Sequence, residues 1–331
     1  MVVVGLSVRT LFDALLEETR PRVIAMSAVT IEDMASLAGS HAAVTPIDLD
    51  LETLVPSETP PPSDMLVAAW LFGRRPTDVS RLASSTRLLV EDCAQAFDGR
   101  LSLSPGADVA LYSFGPIKTA TALGGAVAVF RDRDLARRVQ ARLLALRPLS
   151  DGWFIRRVAK YAMLKLFSGR TLYGAMFGLI IAASRDPDAL VGGLARGFAG
   201  REDLRARIRR APPPRLLALL ERRLRYWAPS PTAEAAVAWA ARGLNAPGGD
   251  APGRWWVLPV LHDDPDKLIA GLRRRGYDAT RGATSLRVIG AADTSPLAHR
   301  LLSSIVYLPK PGSPAEARRL VKVVSRLMSL R

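Results

Sequence analysis

Short apolar runs alternate with stretches of mixed polarity through residue 147. The runs VIAMS, AAVTPIDL, MLVAAWLF, RLLVED, DVALYSF and GAVAVF are apolar on both of their alternating faces, as strands are when both sides of a sheet are covered. Between or after them lie IEDMASLAG, PTDVSRLAS and RDLARRVQARLLALR, with apolar positions at helical spacing. The pattern predicts an α/β fold, a mostly parallel sheet covered by helices, in which ligands bind at the carboxyl ends of the strands. Beyond 147 the pattern changes. Residues 150–230 read as a divergent helical insert: five basic residues from Arg156 to Arg170 precede a charge-free run from Thr171 to Ser184. That run is too short to span a membrane, which takes about 20 residues. A helix over AEAAVAWAARGL and the turn-rich GLNAPGGDAPGR then divide a large unit, 1–245, from a smaller C-terminal α+β unit, 246–331. In the latter, Asp264 or Pro265 after His262 is expected to open a helix.

Two of the strand ends carry chemistry. RLLVED delivers Asp92, with Gln95 just beyond it, and DVALYSF delivers Ser113, with Lys118 in the small-residue loop that follows. Neighbouring strands would bring these four to one sheet edge. Pyridoxal phosphate needs such a set: a lysine for the Schiff base, an aspartate for the pyridinium nitrogen, and hydroxyl and backbone donors for the phosphate. Lysine is scarce in this chain, six of 46 basic residues. Arginine cannot form an imine or lose its proton near neutral pH, and a desolvated lysine can do both. Lys118 is therefore the candidate nucleophile.

The stretch EDCAQAF (91–97), followed by SFGPIKTATALGGAVAVF (113–130), resembles the DegT/DnrJ/EryC1/StrS family of aminotransferases, best known in sugar biosynthesis. Glu91, Asp92, Ala94, Gln95, Ser113, Phe114, Lys118, Gly124 and Gly125 match its pattern, and Ser7-Val8-Arg9-Thr10 is similar to its phosphate loop. The resemblance implies fold type I of the pyridoxal-phosphate transferases, the aspartate-aminotransferase-like fold. It also implies catalysis by Lys118 and Asp92, with Gln95 near the 3-hydroxyl of the cofactor ring. Ser113, Ser7, Val8 and Arg9 would lie around its phosphate. Glutamate as donor, a keto-sugar nucleotide as acceptor and a homodimer with shared active sites follow from the same resemblance. The chain departs from the family at several points. Val8 stands where glycine is usual, Thr30 where an aromatic stacks on the ring, and Trp70 where a histidine precedes the glycine. The middle motif G-Y-N-Y-R-M is absent, which admits a less polar acceptor. The chain opens on an apolar run directly before the phosphate loop, where the family carries a further segment; a misassigned start or a lost arm is the expectation.

Composition narrows the alternatives. A single cysteine, Cys93, excludes a disulfide framework and is expected to pack beneath the sheet. Three histidines without ligand spacing give no metal site. The net charge of +15 comes without the spacing of a zinc finger, an RNP aromatic pair or a G-X-X-G loop, so no specific nucleic-acid partner is expected. The chain lacks the pattern of a secretory signal, and a cytoplasmic enzyme is expected. Residues 156–184, basic then apolar, suit peripheral contact with a membrane. Two other readings stay open: a catalytically inactive relative serving as a binding or partner subunit, and a membrane-surface-associated protein.

Overall fold

The computed structural model describes residues 1–56, 60–167, 204–249, 252–281 and 286–329. The charge-free run 171–184 lies outside them.

The N-terminal half begins with strand β1 (Val2–Gly5), helix α1 (Val8–Thr19) and strands β2 (Val23–Ser27) and β3 (Val29–Ile31). It continues through α2 (Glu32–Gly39), β4 (Ala43–Ile47), β5 (Met65–Ala69), a one-turn α3 (Ser80–Ala83), β6 (Leu89–Asp92), β7 (Val109–Ser113), β8 (Ala126–Phe130) and α4 (Arg133–Leu144). Seven strands form one sheet in the order β1-β8-β7-β6-β5-β2-β4. The pairs β4–β2, β2–β5, β5–β6 and β6–β7 are parallel, while β8 runs antiparallel to both β7 and β1. Two reversals restore direction, so β1 runs the same way as β7. The carboxyl ends of β1, β5, β6 and β7 therefore share one edge of the sheet.

The central strands are buried on both faces because their side chains alternate. Ile24 and Met26 of β2, Val67 of β5 and Leu111 of β7 pack with Leu11, Phe12 and Leu15 of α1. Ala25, Leu66, Ala110 and Tyr112 pack on the opposite face with Cys93, which is fully buried. Burial pushes the Cys93 thiol well up and keeps it protonated. In β1 only Val3 and Gly5 are buried, the signature of an edge strand covered on one side.

Two of the expected elements are shorter than their apolar pattern. MLVAAWLF leaves the sheet at Ala69, because Phe72 and Gly73 take positive φ of 57° and 93°. A Cβ at Gly73 would stand 1.8 Å from the Arg254 carbonyl oxygen, so the turn requires glycine. PTDVSRLAS is helical for one turn only. The Ser84 and Ser85 hydroxyls bond back to the Arg81 and Leu82 carbonyls at 2.8 and 3.0 Å and close it.

After α4 come α5 (Asp151–Phe167), α6 (Leu204–Ile208), α7 (Pro214–Tyr226) and α8 (Pro231–Gly243). The C-terminal part contains β9 (Leu258–Leu261), α9 (Pro265–Arg273), β10 (Leu286–Val288), α10 (Pro296–Ser304), β11 (Ile305–Leu308) and α11 (Pro314–Met328). β9 and β11 form their own antiparallel pair, against which α9 and α11 pack. Asp264 is the N-cap of α9, its carboxylate accepting the Lys267 N–H at 2.9 Å, with Pro265 in the first turn. α8 packs on α11, and β10 pairs with β3, placing Arg287 opposite Thr30.

Candidate active site

The shared sheet edge opens into a cavity of about 280 Å³. Lys118, Asp92, Gln95, Ser113, Ser7, Val8 and Arg9 all line it. Residues from three separate segments thus meet at one place, as the sheet register requires.

Asp92 ends β6 and Glu91 precedes it, so alternation sends the two carboxylates to opposite faces. Glu91 is fully buried beneath the sheet and satisfied at both oxygens. It receives the Trp70 indole N–H at 2.8 Å, the Ser104 hydroxyl at 2.7 Å, and Arg75 at 3.0 and 2.6 Å. Arg75 also donates to the Tyr112 hydroxyl at 2.7 Å. Asp92 faces the cavity, where its Oδ1 accepts the Ala94 N–H at 3.0 Å. Burial raises its pKa above the ordinary carboxylate value, against the pull of that hydrogen bond and of Lys118.

Lys118 follows a tight turn closed by its own N–H on the Gly115 carbonyl at 3.0 Å. Its Nζ lies 4.7 Å from the centroid of the Trp256 ring, and the Trp256 indole N–H donates to the Ile117 carbonyl at 2.9 Å. Burial is the main reason that the Lys118 pKa falls from 10.5 to about 8; Asp92 pulls it up and Arg9 pushes it down. An amine held near neutrality in this way is a nucleophile at physiological pH.

β1 feeds Ser7 into the same edge. Ser7 is the N-cap of α1, its Oγ accepting the Thr10 N–H at 3.2 Å. The first N–H groups of a helix lack intrahelical partners and attract anions. Val8, where the family has glycine, sends its side chain into the core beside Leu11 and Phe12. Val8 thus packs into the core and also lines the cavity. Arg9 pairs with Asp33 at 2.5 Å. Gly125, at φ 83°, turns the chain back into β8 and donates its N–H to the Leu6 carbonyl at 3.0 Å, tying the lysine loop to the end of β1.

Three positions depart from simple expectation. Gln95 lines the cavity while its Oε1 accepts the Phe72 N–H at 2.8 Å, so it also holds the loop after β5. Thr30 lines the cavity from β3 without a ring to stack. Trp70 lines it too, but its indole is tethered to Glu91. The cavity also takes Trp153 and Arg157 from α5 and Arg287 from β10, none of which sequence patterns singled out. The signal existed for α5: Trp153, Arg157 and Tyr161 recur every four residues and so share one helix face.

No family model and no curated protein matches the sequence. Solved structures do match its fold. The aminotransferase TlmJ from Streptoalloteichus hindustanus superposes with a TM-score of 0.66 at 18% identity, over 99% of this chain and 86% of that one. A DegT DnrJ EryC1 StrS aminotransferase from Brucella abortus gives 0.65 at 14% identity, over 99% and 86%. The sugar aminotransferase CalS13 from Micromonospora echinospora gives 0.64 at 17%, over 98% and 87%. The fold is that of the type I pyridoxal-phosphate transferases. At these identities the likeness is one of fold, and in this fold the cavity described above lies where the parallel strands end, the usual ligand position in open α/β sheets.

The residues present fit the cofactor this fold holds elsewhere. A depressed amine, a buried carboxylate across from it and an anion-seeking helix terminus converge on one cavity, and each matches a different part of pyridoxal phosphate.

Proposed function

We propose that this chain is a pyridoxal-phosphate-dependent aminotransferase that moves an amino group, from glutamate, to a keto or aldehyde acceptor. The observation that carries this reading is Lys118, with its pKa near 8, in one cavity with the buried Asp92. When bound, the cofactor supplies an aldehyde for amines and a ring that takes up electron density from the substrate α carbon. Lys118 would hold the cofactor through its aldehyde carbon, and its amine, with a pKa of about 8, would take and return a proton at the substrate α carbon. Asp92 holds the proton on the ring nitrogen through an ionic hydrogen bond, for which its dry surroundings are suited. The first turn of α1, with Ser7, and Ser113 would hold the phosphate, and Gln95 would meet the ring hydroxyl.

The named structural neighbours include sugar aminotransferases, which favours a keto-sugar nucleotide as the acceptor; the departures from the family motif favour a less polar one. The same reading brings a homodimer with both copies walling each site. It also brings the division at 245, with α8 as the last helix of the large unit, packed on α11 of the smaller one. Among the described residues no helix is long and apolar enough to cross a membrane. The outer face of α5 exposes Ile155, Val158, Met163 and Leu166 between Arg156, Lys160 and Lys165, which supports contact with an anionic membrane surface.

The test is the absorption spectrum of the protein with added pyridoxal phosphate, beside that of Lys118→Ala. The expected result is a band in the wild type that borohydride fixes to the Lys118 peptide and that glutamate shifts. If no band forms, or if Lys118→Ala binds and responds identically, the chain is a binding subunit rather than an aminotransferase.

A further inference from the structure

Arg157 lines the cavity yet has no part in the chemistry proposed for Lys118 and Asp92. Its place is fixed from three sides. α5 is anchored by Phe154, which packs with Leu6 and Leu216 at the end of β1. One turn either side of Arg157, the rings of Trp153 and Tyr161 stand with centroids 5.2 and 5.4 Å from its guanidinium carbon. Its Nε donates to the Leu123 carbonyl, just before the Gly124–Gly125 pair. A guanidinium held by its Nε and clasped by two rings presents its two terminal nitrogens as a preorganised fork.

Arg75 faces Glu91, Arg9 faces Asp33, and Arg209 faces Asp13 and Glu17, whereas Arg74 is held by the Gly248 and Gly253 carbonyls and the Trp255 ring. No carboxylate lies within 4.0 Å of Arg157 among the described residues. Burial accordingly lowers its pKa from the ordinary value, with only Tyr161 opposing the fall. A half-buried cation without an anion is costly to keep unless an anion arrives from outside.

We propose that Arg157 is the receptor for an oxyanion of the substrate, a carboxylate or a phosphate group, bound bidentately by its terminal nitrogens. That the oxyanion belongs to a substrate rests on the aminotransferase reading; the binding of an oxyanion does not. Amino acids and keto acids carry carboxylates and sugar nucleotides carry a diphosphate, so either half-reaction could supply the group. The phosphate of the cofactor has its own donors on α1 and at Ser113, on the strand-end side of the cavity.

Isothermal titration of the wild type, Arg157→Lys and Arg157→Gln, each loaded with pyridoxal phosphate, tests the assignment. The probes are glutarate for a carboxylate and inorganic diphosphate for a phosphate. At least one probe should bind the wild type and bind Arg157→Gln about tenfold or more weakly, the loss expected for a charge-assisted bidentate pair. Arg157→Lys should recover part of the affinity, since it restores the charge without the fork. The cofactor absorption band of all three should be the same, which also verifies that they fold. Equal binding by all three proteins overturns the proposal, and so does a wild type that binds neither probe. A selective loss of affinity for pyridoxal phosphate over pyridoxal in Arg157→Gln overturns it too, by giving Arg157 to the cofactor. Should the wild type fail to take up pyridoxal phosphate, the functional reading falls by itself. The same titrations on the cofactor-free proteins then still decide whether Arg157 receives an oxyanion.

Discussion

The proton affinity of Lys118 is lowered mainly by burial and adjusted by two charged neighbours of opposite effect, and removing these one at a time separates their contributions. At pH 7.5 an amine of pKa about 8 is about one quarter neutral, against about 0.1% at the ordinary 10.5, a gain of about 240-fold in nucleophile. Burial is the largest contribution; Asp92 raises the value and Arg9 lowers it. Asp92→Asn should therefore move the midpoint below that of the wild type, and Arg9→Gln should move it above. The assay is the rate at which Lys118 in cofactor-free protein is labelled by an amine-reactive reagent across pH 6–11, read from its peptide by mass spectrometry. Midpoints displaced in opposite directions are the expected result. A wild-type midpoint near 10.5 would refute the reasoning, as would both variants moving the same way. Stability gives an independent reading. Because the folded pKa lies below the unfolded one, the unfolded chain binds more protons between about pH 8 and 10.5, and stability rises with pH across that window. The cost is fully present below pH 8 and amounts to at most about 3 kcal/mol, so Lys118→Met should raise the midpoint of urea unfolding at pH 7.

Glu91→Gln leaves Arg75 buried without its partner, and should cost about 3–5 kcal/mol in denaturant unfolding; a loss under 1 kcal/mol would show that the network matters little. Ser7→Ala removes the cap of α1, a loss of about 1 kcal/mol, and should weaken pyridoxal phosphate more than pyridoxal in equilibrium dialysis. Gly73→Ala meets both a φ of 93° and the Arg254 carbonyl, so it should lower the melting temperature sharply, whereas Gly276→Ala, with open space around it, should lower it far less.

The strands β2, β5, β6, β7 and β8 and the residues on their ends were legible because two-sided burial leaves continuous apolar runs. β4 was legible as an apolar run although it lies at the edge, while β3 was not foreseen. Asp92 and Ser113 could be placed at one edge from the runs alone. β1 could not. An edge strand of four residues carries too little pattern, and its direction depends on β8 reversing between it and β7. The position of Ser7 in the same cavity as Lys118 follows from that reversal; the family resemblance implied it, and the apolar pattern alone did not. Trp256 reaches Lys118 across more than a hundred residues of chain, with no local spacing to announce it. Trp153 and Arg157 are a different case, since their spacing was visible but their helix had no expected neighbour to face. The contrast between Glu91 and Asp92 was likewise invisible in composition, because two adjacent acids look alike until a strand sorts them by face.

That sorting gives β6 a kind of parity check. Glu91 can meet Arg75, Trp70 and Ser104 only when the strand is in its native phase, and in that phase Asp92 must open onto the cavity. A slip by one residue would turn Asp92 toward Arg75 and leave a cavity facing an apolar side chain. A slip by two would restore the faces but displace both carboxylates along the sheet by about 7 Å. Insertions and deletions in the 84–88 turn are therefore expected to be punished by loss of cofactor binding before loss of folding. The buried glutamate thus keeps time for an aspartate that it never touches.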